Sequence, residues 1–112
     1  MYGNQGADIL FGGQGNDVLY GGQDADMLIG GLGDDVLAGG LGADHYRFEA
    51  NSGRDIILGF SQAAGDRIDL GGQTYSLSSA QDGSALLTLS GGGVIVLAGT
   101  PVNQVSASFF AT

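Results

Sequence analysis

Large apolar residues recur at every ninth position through the first part of this chain: Leu10, Leu19, Leu28, Leu37 and then Tyr46. Strand-forming neighbours flank each one, as in Ile9-Leu10-Phe11, Val18-Leu19-Tyr20 and Met27-Leu28-Ile29. Side chains alternate between faces along an extended segment, so only the middle residue of each triplet points inward. The stretch before each triplet is built of turn-formers, with glycine at the first, second and fourth places of the repeat. Glycine there permits positive φ and close backbone approach. The repeats run 3–11, 12–20, 21–29, 30–38 and 39–47. Such a period specifies a stacked, quasi-one-dimensional architecture. Two nine-residue repeats make one eighteen-residue coil with a strand on each side. Repeats 1, 3 and 5 then stack on one side and repeats 2 and 4 on the other, with neighbouring strands about 4.8 Å apart.

The periodicity stops after residue 47, and residues 48–70 read as the flank that ends the roll. Residues 71–112 read as short strands. Ser84 to Ser90 and Gly93 to Ala98 are separated by Gly91-Gly92, a two-residue hairpin signal. A solenoid end exposes strand edges and core, so this segment is expected to cap the roll, with Phe109 and Phe110 packed on the cap. The predicted fold is therefore all-β: a parallel β-roll, or β-solenoid, of nonapeptide repeats followed by a β-rich C-terminal cap.

The sixth place of every repeat is an aspartate: Asp8, Asp17, Asp26, Asp35 and Asp44. Stacked turns bring such carboxylates to about 5 Å, where each like-charged neighbour costs about 3 kcal/mol at an effective dielectric of ~20. A divalent cation between successive turns reverses that sign. The available ligands are carboxylate and glycine carbonyl oxygens, which suit hard cations. With no cysteine and one histidine, the chain argues against zinc. Flexible glycine-rich turns fit the tolerant shell of calcium better than strict octahedral magnesium. Each site is expected between turn n and turn n+2. The carbonyl candidates are Gly3 and Gly6 in the first turn, Gly12 and Gly15 in the second, and Gly21 and Gly22 in the third. The fourth turn offers Gly30, Gly31 and Gly33, and the fifth Gly39, Gly40 and Gly42. Five turns give at least three Ca2+ ions, and the roll is expected to be unfolded without metal and folded with it.

Charge and composition narrow the function. Twelve acidic residues against three basic ones give a formal charge of −9. Nucleic acid is excluded as a partner, since phosphate binding needs Lys and Arg, and an anionic membrane surface is disfavoured for the same reason. The lack of cysteine excludes disulfides and thiolate sites but suits any compartment. Twenty-three glycines would suit a flexible linker, but a linker would not keep leucine in phase. No apolar run reaches transmembrane length, and no N-terminal signal peptide is visible. No catalytic constellation emerges either. His45 is the only histidine and should point outward from its repeat, and the serines lack a triad pattern. The carboxylate pairs Asp34-Asp35 and Asp24/Asp26 do not flank a cleft as glycosidase chemistry requires. Asp34 is read as deepening the electrostatic well beside Asp35. The chain is expected to be no enzyme.

The pattern G-G-x-G-x-D-x-U-x, in five tandem copies with Asp and Leu in phase, resembles the repeats-in-toxin (RTX) family. That resemblance implies a right-handed parallel β-roll with calcium between turns. It also implies a secreted, extracellular bacterial protein, exported by a type I secretion exporter and folding outside the cell when it meets calcium. Gly42-Ala43-Asp44-His45-Tyr46-Arg47-Phe48 looks like the last repeat of such rolls, where an aromatic replaces Leu. Ser52 to Phe60 and Gly65 to Leu70 resemble the flank that follows the roll in serralysin-type proteases. By that similarity Asp55 sits in a sixth turn and closes a fourth site with turn 4. Asp66 and Asp69 are weaker candidates, preferred as turn and strand-end carboxylates. Ala107 to Thr112 resemble the uncleaved C-terminal export signals of type I substrates.

The chain departs from the family pattern at Asn4, at Asp24 in place of the third Gly of repeat 3, and at Gly59, where the family has Asp. Tyr2 occupies position 9 of a repeat whose earlier residues are absent, so the chain is expected to be the tail of a longer exoprotein with Met1 as a start residue. Outward-facing Ile9, Phe11, Met27 and Ile29 would form an apolar face for an upstream domain of the parent protein or for a second copy in a homodimer. The competing function is an extracellular carbohydrate-binding or adhesion module of a larger exoenzyme or adhesin, with Tyr20 and Tyr46 as aromatic candidates.

Overall fold

A computed structural model describes Gly3, Gly6 and residues 8–110. Tyr2, Asn4 and the last two residues of the export-signal segment lie outside the described residues, as does Met1. The repeat triplets form β1 (Ile9–Phe11), β2 (Val18–Tyr20), β3 (Met27–Ile29), β4 (Val36–Ala38) and β5 (His45–Arg47). There follow β6 (Arg54–Leu58), β7 (Arg67–Asp69), β8 (Tyr75–Ser79), β9 (Ser84–Leu89) and β10 (Val94–Pro101). Two short 3-10 turns, Val102–Gln104 and Ala107–Phe109, end the described chain.

The strands separate into two sheets by alternation. One has the order β1-β3-β5-β7, the other β2-β4-β6-β10-β9-β8. All pairs in the first sheet are parallel and in register, with Leu10 opposite Leu28, Leu28 opposite Tyr46 and Tyr46 opposite Ile68. In the second, Leu19 lies opposite Leu37, Leu37 opposite Ile57 and Ile57 opposite Leu97. Odd repeats thus stack on one side and even repeats on the other, as a parallel β-roll. The inward residues Leu19, Leu28, Leu37, Tyr46, Ile57 and Ile68 are fully buried. Burial of that column is the main apolar driving force for stacking.

The C-terminal strands continue the even-side sheet. β10 adds to β6 in parallel, and β9 and β8 then follow antiparallel. Ala85, Leu87, Leu89, Ile95 and Leu97 join the same core as the roll leucines. The β9–β10 connection is longer than the two-residue turn expected. Gly92 N–H donates to Leu89 O (3.1 Å) and Leu89 N–H to Gly93 O (2.8 Å), with Gly92 at φ 105. The loop is therefore Ser90-Gly91-Gly92, a three-residue hairpin with its last residue left-handed. Phe109 is buried against Phe60, which in turn contacts Tyr46, while Phe110 stacks on Tyr75 at 4.5 Å.

The outer apolar face differs from expectation at one residue. Ile9 and Phe11 are exposed and Met27 half-buried, but Ile29 is buried. Ile29 sits between Phe11 and Arg47 in register, and these longer neighbours cover it. The even-side sheet also presents apolar residues outward: Val18, Val36 and Ile56 lie in one row with Val96 and Leu86.

Candidate metal centre

The turns that precede the strands carry the aspartates into two columns. One holds Asp8, Asp26, Asp44 and Asp66, the other Asp17, Asp35 and Asp55, and each is joined by the same hydrogen bond. The backbone N–H of Asp8 donates to Asp26 Oδ1 (2.9 Å), that of Asp26 to Asp44 Oδ1 (2.9 Å), and that of Asp44 to Asp66 Oδ1 (2.9 Å). On the other side Asp17 N–H donates to Asp35 Oδ1 (2.8 Å) and Asp35 N–H to Asp55 Oδ1 (2.9 Å). The carboxylates of Asp26, Asp35, Asp44, Asp55 and Asp66 are thereby each held by the turn two before. The turn pairs 1/3, 2/4, 3/5 and 4/6 are brought together.

The second oxygen of these groups is what points to a ligand. Oδ2 of Asp8, Asp17, Asp26, Asp35, Asp44 and Asp55 is buried and has no hydrogen-bond partner. A buried carboxylate oxygen without a donor is costly, and six arranged in two columns are not an accident of packing. Backbone oxygens converge beside them. A β-carbon placed on Gly3 would lie 2.8 Å from Asp8 Oδ2 and 2.7 Å from Gly21 O. On Gly12 it would meet Asp17 Oδ2 at 2.9 Å and Gly30 O at 2.6 Å, and on Gly21 it would meet Asp26 Oδ2 and Gly39 O, each at 2.6 Å. The first glycine of the repeat therefore has to be glycine because an oxygen-lined cradle occupies the space of its side chain. Gly31, Gly33 and Gly40 also abut backbone carbonyls, of Gly13, Gly15 and Gly22 in the turn two repeats earlier. Of the other carbonyl candidates, Gly22 O accepts Leu41 N–H (2.9 Å), and Gly6 and Gly15 lie at exposed corners. A β-carbon placed on Gly42 would lie 2.5 Å from Asp24 O.

Among the described residues no point gathers three or more His, Cys, Asp or Glu side chains. The donor set is mixed, carboxylate with carbonyl, and such all-oxygen sets suit calcium. Electrostatics agree. Burial, reinforced by the charges of Asp66 and Asp26, pushes the Asp44 carboxyl up to about 6. Burial, with repulsion from Asp35 and Asp34, pushes Asp55 up to about 7. Asp35 is raised as well, chiefly by burial. Each is opposed by the N–H that it accepts, so the raised values mark uncompensated negative charge.

Three features lay beyond the sequence reading. Asp66, preferred there as a turn carboxylate, is fully buried and extends the odd column. Its signal was the motif Asp66-Arg67-Ile68-Asp69, which keeps the D-x-U-x half of the repeat after the nine-residue spacing is lost. The Tyr46 hydroxyl reaches into the turn and accepts Gly39 N–H at 2.8 Å. A second, outer ladder runs beside the even column, with Asp34 N–H donating to Asn16 Oδ1 and Arg54 N–H to Asp34 Oδ1. Asp24 adopts the left-handed conformation at φ 71, as expected of a glycine replacement, and accepts Gly6 N–H at 2.8 Å. His45 is exposed.

Stacked turns, paired columns of buried carboxylates and parallel strands define a β-roll of cation-binding repeats. The family model of the RTX calcium-binding nonapeptide repeat (4 copies) matches residues 2–37 and 15–46, so this part of the chain carries the RTX calcium-binding repeat pattern. Among solved structures, the AlgE6R3 subunit of the Azotobacter vinelandii mannuronan C5-epimerase is similar, with a TM-score of 0.59 and 29% identity over 94% of this chain and 77% of that one. No curated protein matches the sequence.

Proposed function

We propose that this calcium-binding β-roll is a non-catalytic module that folds when calcium enters between its stacked turns, and that it serves as the folding and export tail of a secreted protein. The observation that carries the reading is the set of six buried, unpartnered Oδ2 atoms in two columns. Calcium supplies the positive charge that these oxygens lack. The residues that would hold it are Asp8, Asp17, Asp26, Asp35, Asp44 and Asp55, with carbonyls such as Gly21, Gly30 and Gly39. Residues 1–47 act as the roll, 48–70 end it, and 71–112 cap it. A polypeptide that cannot fold at low calcium stays threadable during export and folds outside the cell, where calcium is abundant. A type I exporter and an upstream domain are the partners that this role requires. Among the described residues no helix is long and apolar enough to cross a membrane.

A second reading, a carbohydrate-binding module, is favoured by two observations. A groove of about 250 Å³ runs along Phe11, Ile29 and Arg47 on the outer odd-side face, and the similar solved structure is a subunit of a polysaccharide epimerase. A glycan-array screen separates the two. The folding role is tested by far-UV circular dichroism during a calcium titration from chelator, with magnesium as control. A cooperative gain of β signal with calcium alone is expected; a folded spectrum in chelator would remove the physical basis of the export role.

A further inference from the structure

The odd-side column does not end as it begins. At the first three turns, the N–H of the first glycine donates to a strand-end carbonyl from the coil above: Gly3 to Tyr20 O, Gly12 to Ile29 O and Gly21 to Ala38 O. At Gly39 the acceptor is instead the Tyr46 hydroxyl, at 2.8 Å. That hydroxyl also takes the place held elsewhere by a glycine carbonyl, lying 2.6 Å from where a β-carbon on Gly39 would stand. The seventh turn is equally distinct. Asp66 accepts Asp44 N–H on Oδ1 and Ser61 N–H on Oδ2, both at 2.9 Å. Every other column aspartate keeps a bare Oδ2. Asp66 therefore has both carboxylate oxygens satisfied by backbone N–H groups.

We infer that Asp66 and Tyr46 form a hydrogen-bonded cap that positions Asp44 and closes the odd column, so that the cation sites on this side end between turns 3 and 5. This rests on the calcium reading above and refines it. Asp66 holds the backbone of Asp44 as Asp44 holds that of Asp26, but it offers no bare oxygen to an ion. The phenol supplies a neutral acceptor where the nine-residue repeat has ended. Leucine at position 46 would leave Gly39 N–H buried without a partner.

Native mass spectrometry of the full chain at saturating calcium, on the wild type, Asp66→Asn and Tyr46→Phe, tests this. Asn keeps an acceptor for Asp44 N–H but puts an amide nitrogen, which cannot ligate a cation, where the second carboxylate oxygen stood. Equal ion numbers in all three proteins are expected, with the calcium midpoint of each variant raised about threefold to tenfold, the worth of one hydrogen bond. One ion fewer in Asp66→Asn or in Tyr46→Phe would make that residue a ligand and overturn the cap. Tyr46→Phe preserves the buried ring, so the test survives if Asp66→Asn fails to fold. Should the wild type bind no calcium, the calcium reading itself fails, an outcome distinct from a lost ion in one variant.

Discussion

The roll and the C-terminal strands bury the same kinds of apolar side chain but differ in what lies beside them. Next to Leu19, Leu28 and Leu37 stand Asp26, Asp35, Asp44 and Asp55, all nearly inaccessible to water. Next to Ala85, Leu87, Ile95 and Leu97, the buried polar residues are Ser84 and Thr100, and beyond residue 70 no carboxylate is buried among the described residues. Ser84 Oγ accepts Gly99 N–H, and the β8–β9–β10 ladders are antiparallel. The same chain thus contains a half whose polar groups are satisfied by protein and a half whose polar groups need an ion. The glycines differ in the same sense. Gly21 is required because oxygens crowd its side-chain position, whereas Gly83 has open space and is required only by its φ of 89.

The comparison is best broken where its effect is largest, at the middle of the odd column. Asp26→Ala removes both a bare Oδ2 and the acceptor of Asp8 N–H. It should raise the calcium midpoint by at least about tenfold and more than Asp8→Ala, which affects one end site. Equal effects in calorimetric titrations would contradict sharing between turns n and n+2. Next in size, Gly21→Ala drives a methyl group into Asp26 Oδ2 and Gly39 O and should depress calcium affinity. Gly83→Ala should cost about 1–2 kcal/mol of thermal stability with calcium affinity unchanged. If both variants lose calcium equally, the distinction between the two kinds of glycine is wrong.

Leu87→Ala attacks the cap core. It should lower the stability of the calcium-loaded protein by about 2–5 kcal/mol while the number of bound ions stays the same, as read by denaturant melts and native mass spectrometry. The mildest test is pH. Buried Asp44 and Asp55 have carboxyls raised to about 6 and about 7 in the metal-free fold, against 3.8 ordinarily. A raised carboxyl favours the folded state only when protonated. Its contribution is complete below the ordinary value and is lost as pH rises through about 6 to 7. Without calcium, acidification to about pH 5 should therefore restore part of the β signal that the roll lacks at about pH 7.5. With calcium the trend reverses, because ligation needs the ionised form. A far-UV spectrum in chelator that does not change between these pH values would show that protonating these carboxyls does not favour the roll.

Much of the roll was legible before any coordinates. A period of nine with leucine in phase dictates which residues point inward, and the resulting stack has one arrangement that buries them all, with odd repeats on one side and even on the other. Asp in phase with Leu then fixes where the repeat carboxylates go: five of the six aspartates with bare oxygens carry the repeat motif, and the sixth, Asp55, was expected from the resemblance of the flank. Tertiary structure alone decided how the periodicity ends. After residue 47 the spacing slips, from eighteen between Asp26 and Asp44 to twenty between Asp35 and Asp55 and twenty-two between Asp44 and Asp66. A period argument has no purchase there, because the insertions are absorbed by loop geometry. Whether Ile29 is covered, whether the Tyr46 hydroxyl finds Gly39 and whether both oxygens of Asp66 are taken depend on neighbours brought together from distant segments. Local pattern sets the face that a residue presents; only the packed chain sets what meets it there.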